Sequence, residues 1–249
     1  MITKIKIVAL LLIVVLSGCA SVPTPLETLK VEHTNTPRPT VIIASGCDGN
    51  KNQSYTNWMK LVSSWGYNGV MMDSFETRNY PFGVCTRPST VHPSIRVFDI
   101  EELANYIKQQ PWHKGKIAVV GFSHGGSTIM NIANNREIKN IDAGVAYYPS
   151  CYDKVWFGKR YDFIGRPYSN PKIPVQIHFG EKDSWTPPKE CTDIDQYEHY
   201  TYKNATHAFD MQLPNRTAYG YYMEYNSEAD RISKIRTKEF LDKNLIANK

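Results

Sequence analysis

The sequence predicts an α/β domain: a mostly parallel sheet covered by helices on both faces. Three observations carry this. Short apolar runs alternate with amphipathic helical stretches from residue 41 onward, the pattern of strands that are buried on both sides. One junction reads as strand, tight turn and helix. There the apolar run Ile117-Ala118-Val119-Val120 leads into Gly121-Phe122-Ser123-His124-Gly125, and the small and apolar residues Ser127, Ile129, Met130, Ile132 and Ala133 lead out. Finally, the residues able to carry chemistry fall just after apolar runs, where open α/β sheets place their sites.

Taken in order, Val41 to Ala44 is a buried strand that ends at Ser45-Gly46. Trp58, Leu61, Val62 and Trp65 recur at helical spacing, and Gly66 stops that helix. Val70-Met71-Met72 is the next strand, closed by Asp73. A long loop, Ser74 to Pro93, carries Pro81, Gly83 and Pro88. Ser94 caps a helix with Ile95, Phe98, Leu103, Tyr106 and Ile107 on its inner face, and Pro111 ends it. After the junction at Ser123 come strands at Ala143 to Tyr148 and Val175 to Phe179, with Tyr200-Thr201-Tyr202 as the last. The final helix opens on a capping box of Ser227 and Asp230 and turns Ile232, Ile235, Phe240 and Leu241 inward.

The start of the chain reads as an address. Lys4 and Lys6 precede an apolar run from Ile7 to Leu16, too short to span a bilayer and suited to the core of a signal peptide. Leu16-Ser17-Gly18-Cys19 resembles the lipobox of bacterial lipoproteins. The resemblance implies cleavage after residue 18 and lipidation of Cys19 on sulfur and amine, the multiple chains that stable anchoring needs. It also implies a bacterial cell-envelope location, and Ala20 after the cysteine would favour the outer membrane in a Gram-negative cell. Residues 19–39, with Pro23, Pro25, Pro37 and Pro39, read as an extended tether, in which Leu29-Lys30-Val31 suits a short edge strand. Residues 40–249 form the domain, enough for one core. The formal charge is +5, near +3 once Lys4 and Lys6 leave. No basic run stands out, so nucleic acid is not an expected partner.

Besides Cys19 the chain holds Cys47, Cys85, Cys151 and Cys191. An even number in an exported chain points to two disulfides, with three pairings open. The triplets at Asn52, Asn204 and Asn215 carry no weight as glycosylation sites in a bacterial lipoprotein.

Gly121-Phe122-Ser123-His124-Gly125 in its strand–turn–helix setting is a G-x-S-x-G nucleophile elbow. Ser123 needs a base, and the base needs an acid to fix its tautomer. Of the later histidines, His124 lies inside the elbow, His178 lies mid-strand and suits the core, and His199 suits the surface. His207, in the loop just after the last strand, is the candidate base. Asp183 follows the strand ending at Phe179 and is the candidate acid, with Glu181 as its near rival and Asp193, Asp195 and Asp210 as solvated alternatives. The backbone N–H groups of His124 and Cys47 are the candidate oxyanion hole. In the loop from Ser74 to Pro93, Glu76, Arg78 and Arg87 are placed to overhang a pocket. Arg78 or Arg87 could meet a substrate carboxylate or simply be solvated. Tyr219, Tyr221, Tyr222 and Tyr225 suit either a lid beside His207, core or a partner surface.

Together these pieces resemble the dienelactone hydrolase family of α/β-hydrolases. The matching segments are Ser45-Gly46-Cys47-Asp48-Gly49, Asp73-Ser74-Phe75, the elbow, Gly180-Glu181-Lys182-Asp183 and Thr206-His207-Ala208-Phe209. The resemblance implies an α/β-hydrolase fold with about eight strands and a hydrolase acting on ester-type bonds without metal or organic cofactor. Ser123, Asp183 and His207 would be its triad, and a small-molecule or acylated envelope compound its substrate. A peptidase, an acyltransferase or a non-catalytic envelope-binding lipoprotein are the alternatives. Founding members carry cysteine as nucleophile and a glutamate beside the oxyanion loop. Here those positions hold Ser123 and Gly46, which argues against dienelactone itself as substrate. The family's strand order also implies the pairings Cys47–Cys85 and Cys151–Cys191.

Overall fold

The computed structural model describes residues 25–134, 138–151, 153–154, 160–161, 171–191 and 194–246. The expected signal peptide, Cys19, the first part of the tether and Asp193 lie outside the described residues. The main elements are β1 (Lys30–Glu32), β2 (Arg38–Ala44), α1 (Gln53–Ser64), β3 (Asn68–Met71), α2 (Pro93–Lys108), β4 (His113–Phe122), α3 (His124–Asn134), β5 (Ala143–Tyr147), β6 (Val175–Gly180), β7 (Glu198–Tyr202), β8 (Arg216–Ala218), β9 (Tyr221–Met223) and α4 (Ser227–Leu245).

Seven strands form one sheet in the order β1-β3-β2-β4-β5-β6-β7. All pairings are parallel except that of β1 with β3. The resemblance implied about eight strands, but ahead of β2 the described chain supplies β1 alone. The part of the tether from Pro25 to Glu32 is folded onto the domain. Leu26, Leu29 and Val31 pack on the core, and the Thr28 hydroxyl accepts the Asp73 N–H at 2.7 Å.

Alternation along the strands sorts the core into two layers. Ile42 and Ala44 of β2 and Val119 of β4 face α2 and α3, meeting Val97, Ile100, Leu103 and Ile129. Val41, Ile43, Val120 and Phe122 face α1 and α4, meeting Trp58, Val62, Phe240 and Leu241. The strands are buried on both sides because both faces are covered, which is why they read as continuous apolar runs.

Four local expectations are corrected. Helix α2 is capped by His92, whose ring accepts the Ser94 N–H, with Pro93 in the first turn; Ser94 is therefore inside the helix. Its buried stripe is Val97, Ile100, Leu103, Ala104 and Ile107, while Ile95 and Phe98 are exposed, because they fall on another side of a 3.6-residue turn. Helix α4 is capped by Asn226 in place of Ser227. Ile235 is exposed there, and the small polar residues Ser233 and Thr237 take its expected inward place.

His178 on β6 is a satisfied core histidine. Its Nδ1 accepts from the Tyr202 hydroxyl at 2.8 Å, and its Nε2 donates to Gln176 Oε1 at 2.9 Å. Burial, with Arg236 nearby, pushes its pKa down to about 3. No helix among the described residues is long and apolar enough to cross a membrane.

His178 has a measurable consequence. Its folded value lies below the ordinary 6.5, so the unfolded chain takes up a proton that the folded chain refuses. Stability from this group is full above pH 6.5 and is lost as pH falls toward its folded value. Between pH 6 and pH 5 the wild type should lose about 1 kcal/mol more unfolding free energy than His178→Gln. Urea melts at the two pH values measure this, and equal losses in both proteins would refute the assignment.

Candidate active site

Ser123 stands alone between the end of β4 and the start of α3, with a left-handed φ of 51°. Its N–H donates to Tyr147 O at 2.9 Å, and its carbonyl accepts from Ser127 N at 2.9 Å, so the strained residue is gripped from both sides. The glycines are there for room. A Cβ on Gly121 would overlap Gly125 O, and a Cβ on Gly125 would overlap Ala44 O. Helix α3 thus starts pressed against the end of β2, and its first amides, among them that of His124, have no partner within the helix.

The loop after β2 faces this helix start. The Gly46 N–H is occupied by the Tyr55 hydroxyl at 2.9 Å, and that hydroxyl in turn donates to Asp48 Oδ1 at 2.6 Å. Cys47 follows directly. It is bonded to Cys85, with Cα atoms 4.8 Å apart, and its carbonyl accepts from Val84 N at 2.7 Å. Cys151 is bonded to Cys191.

Asp183 and His207 lie on the loops that follow β6 and β7, and meet. His207 Nδ1 is 2.7 Å from Asp183 Oδ2, with both residues buried. The other carboxylate oxygen accepts the amides of Trp185 at 2.8 Å and Thr186 at 2.9 Å. The His207 ring is flanked by those of Tyr148 and Trp185, at centroid distances of 4.6 and 4.9 Å. Since a carboxylate only accepts, the Nδ1 of His207 carries a proton, which in the neutral ring leaves the lone pair on Nε2.

The alternatives sit elsewhere. Glu181 is exposed and accepts the Asn204 N–H at 2.9 Å. Asp195 and His199 are exposed. Asp210, expected to be solvated, is instead buried, where it accepts from Trp58 Nε1 at 2.8 Å and from the Tyr148 hydroxyl at 2.7 Å. Burial raises its pKa. The His124 ring is turned away from the turn: Nδ1 accepts from Arg96 Nη1 at 3.0 Å, and Nε2 donates to Pro88 O at 3.1 Å. Burial, then Arg96, push its pKa down to about 3.

Ser123, His207 and Cys47 line one cavity of about 580 Å³, in the ordinary range for small-molecule sites. One wall is apolar, built from Trp185, Met211, Leu213, Ala218, Tyr219 and Met223. The β8–β9 hairpin supplies much of it. Tyr221 stacks on Trp185 with centroids 5.1 Å apart, and Tyr219 lies 5.4 Å from the same ring. Tyr225 instead donates to Asp230 Oδ2 at 3.0 Å, and Tyr222 is exposed. Among the loop residues Ser74 to Pro93 only Cys85 reaches the cavity. Arg78 is half-buried and not free, because Asp99 holds it through two bonds of 2.7 and 2.8 Å. Arg87 and Glu76 are exposed away from the lining. Among the described residues no cluster of three or more histidine, cysteine or acidic groups could hold a metal ion.

Besides most of the apolar wall, four polar residues in and around the site, Arg96, Tyr55, Thr186 and Arg216, escaped the sequence reading. Arg96 is buried over the Phe75 ring at 4.7 Å and donates to Ser45 O at 2.9 Å, so it ties the loop after β2 to His124. Its position on the buried stripe of α2, one turn before Ile100, was the available signal. Tyr55 and Thr186 gave none, being ordinary helix and loop residues. Arg216, on β8, adds a cation to the cavity rim.

The family model for the dienelactone hydrolase family matches residues 26–245. Among solved structures, the dienelactone hydrolase-like promiscuous phosphotriesterase P91 from metagenomic libraries is 15% identical with a TM-score of 0.65, covering 88% of this chain and 99% of that one. The esterase Pf2001 of Pyrococcus furiosus is 19% identical with a TM-score of 0.62, covering 89% of each chain. Est1E of Butyrivibrio proteoclasticus, with ferulic acid bound, is 15% identical with a TM-score of 0.60, covering 87% and 94%. At these identities the neighbours speak for the fold. No curated protein sequence matches the chain. A family model that spans nearly the whole described domain, over the α/β-hydrolase sheet just described, decides the matter: this chain belongs to the dienelactone hydrolase family and is a hydrolase.

Proposed function

We propose that the protein is a serine esterase that works through Ser123, His207 and Asp183. The observation that carries the reading is the 2.7 Å bond between His207 Nδ1 and Asp183 Oδ2, in a cavity that Ser123 also lines. Nε2 of His207 takes the Ser123 proton as Oγ attacks the ester carbonyl. Asp183 keeps the ring in the right tautomer and stabilises the imidazolium. The N–H groups of Cys47 and His124 receive the oxyanion, and the imidazolium gives its proton to the leaving alcohol. Water, deprotonated by His207, then attacks the acyl-serine, frees the acid and returns the proton to Ser123. The apolar wall favours esters with an apolar or aromatic acyl group, in keeping with the aromatic acid held by Est1E. The lipobox-like segment and the two disulfides support work at the bacterial cell envelope, on a lipid anchor at Cys19.

Ser123→Ala should lower turnover of a short p-nitrophenyl ester by about 10⁴-fold or more. Labelling by a fluorophosphonate should vanish while circular dichroism stays unchanged. Full turnover in that variant would falsify the assignment.

Cys85→Ser should affect rate and stability together. Cys47 is an oxyanion donor in this scheme, and its disulfide closes a separation of 38 residues. Unfolding free energy should fall by about 4 kcal/mol at most. The kcat should fall about 10- to 100-fold as the loop loosens, short of the loss from removing a donor outright. A variant with lowered stability and wild-type kcat would show that the bond does not serve the oxyanion loop.

Cys19→Ala, expressed in a bacterial host, should move the enzyme from the membrane pellet to the soluble exported fraction. Continued sedimentation with membranes would rule out the lipid anchor.

A further inference from the structure

Thr186 is buried, and its hydroxyl stands where three parts of the site meet. Oγ1 lies 2.9 Å from Asp183 Oδ2, 3.1 Å from His207 Nδ1 and 3.0 Å from Tyr148 O. A hydroxyl has a single proton to donate. Two of these neighbours, the carboxylate and the carbonyl, can only accept, and the proton on His207 Nδ1 already points at Asp183. A bond to a charged acceptor is about twice as strong as one to a neutral acceptor, so the proton favours Asp183 Oδ2, with Tyr148 O as the lesser share. Asp183 then holds four donors. Two backbone amides, those of Trp185 and Thr186, meet Oδ1, while the Thr186 hydroxyl and the imidazole meet Oδ2.

Each of these bonds has its own task. The two amides meet one carboxylate oxygen only. The Thr186 hydroxyl fixes the second oxygen, the one that faces the imidazole. It also draws negative charge from that oxygen, which limits how strongly Asp183 raises the basicity of the ring. The hydroxyl is itself well placed. Thr186 is held through its own amide on Asp183, and Tyr148 O lies at the end of β5, where the chain turns with a φ of 36°. The Tyr148 side chain continues this frame, its ring against His207 and its hydroxyl on the buried Asp210.

We propose that Thr186 is a positioning residue of the hydrolytic site, setting the orientation and effective charge of Asp183 and, through it, the basicity of His207. This rests on the Ser123–His207–Asp183 reading above. The residue touches neither substrate nor the reacting atoms.

The test pairs Thr186→Val, which keeps the branched shape and removes the hydroxyl, with Thr186→Ser, which keeps the hydroxyl. Profiles of kcat and kcat/KM against pH are measured on a p-nitrophenyl ester, with thermal melts in parallel. Thr186→Val should lower kcat about 10- to 100-fold with KM within about twofold. With one donor gone, Oδ2 holds the imidazolium more tightly. The acid limb of kcat/KM should therefore move to higher pH by about half a unit. Thr186→Ser should restore both. If the valine variant does not fold, Thr186→Ala takes its place with the same expectations. An altered melting point with wild-type kcat and an unmoved acid limb would reduce Thr186 to a structural role. A limb moved to lower pH would mean that the hydroxyl accepts from Nδ1 rather than donating to Asp183, and would overturn the proposal as stated. Ser123→Ala run alongside separates the two readings. Surviving turnover there removes the triad itself, whereas a dead Ser123→Ala beside a fully active Thr186→Val removes the Thr186 role alone.

Discussion

The close approach of α3 to the end of β2 is the constraint on which the site depends. It exists because Gly125 presents no side chain to Ala44 O and Gly121 none to Gly125 O. With the helix pushed this far in, the residue between strand and helix has nowhere to go but the left-handed region, and Ser123 occupies it. The same approach brings the first amides of the helix up to the loop that carries Cys47. The position and strain of Ser123 and the approach of the Cys47 loop are thus one packing event, held by the Ser123 N–H on Tyr147 O and the Ser127 N–H on Ser123 O. A side chain at either glycine would not trim one function but separate all of them.

Around that point most buried polar groups have partners. His207 lies between the rings of Tyr148 and Trp185, and the low local dielectric strengthens its bond to Asp183. Behind it, Asp210 receives the hydroxyl of Tyr148 and the indole of Trp58. On the other flank Arg96 is buried against Phe75 and spans Ser45 O and the His124 ring. Burial drives its pKa down to about 10, still far enough above neutrality to leave it charged. A buried cation of this kind costs free energy, and the Arg96 Nε–H has no partner to offset that cost. Its bonds to Ser45 O and the His124 ring nonetheless fasten the loop after β2.

The sequence made the architecture and the chemistry legible to different degrees, for physical reasons. Strands buried on both faces show as unbroken apolar runs, and the elbow shows because its glycines are demanded by backbone contacts that any member of the fold must make. The meeting of Asp183 and His207 could be anticipated because chain order after the elbow and position at strand ends narrow the choice to a few residues. Helix faces were less legible. Phe98 and Ile235 are large and apolar yet exposed, while Ser233 and Thr237 are polar yet buried. Thr237 is inside because its hydroxyl serves Tyr147 and His178, a long-range reason that no local pattern carries. The cavity wall was hidden likewise. The Ser74–Pro93 loop read as an overhang, but its Arg78 is locked to Asp99, and the wall comes instead from a hairpin whose tyrosines stack on Trp185.

Gly46, where founding members of the family carry glutamate, is part of the same logic. A Cβ at this position would stand 2.7 Å from the Tyr55 hydroxyl and 3.1 Å from Asp48 Oδ1. That space is already spoken for, since the tyrosine hydroxyl accepts the Gly46 N–H and donates its own hydrogen bond to Asp48. Any side chain here must dislodge Tyr55 and free the amide it occupies, so glycine and tyrosine stand or fall together. The pair consumes one backbone donor in structure and leaves Cys47 as the next amide toward the cavity, pinned from behind by Cys85 and Val84. In the mechanism proposed above, Ser123 has no acidic side chain at position 46 beside it and depends on His207 and Asp183 across the cavity. The four donors gathered on Asp183 hold that carboxylate in place against the imidazole.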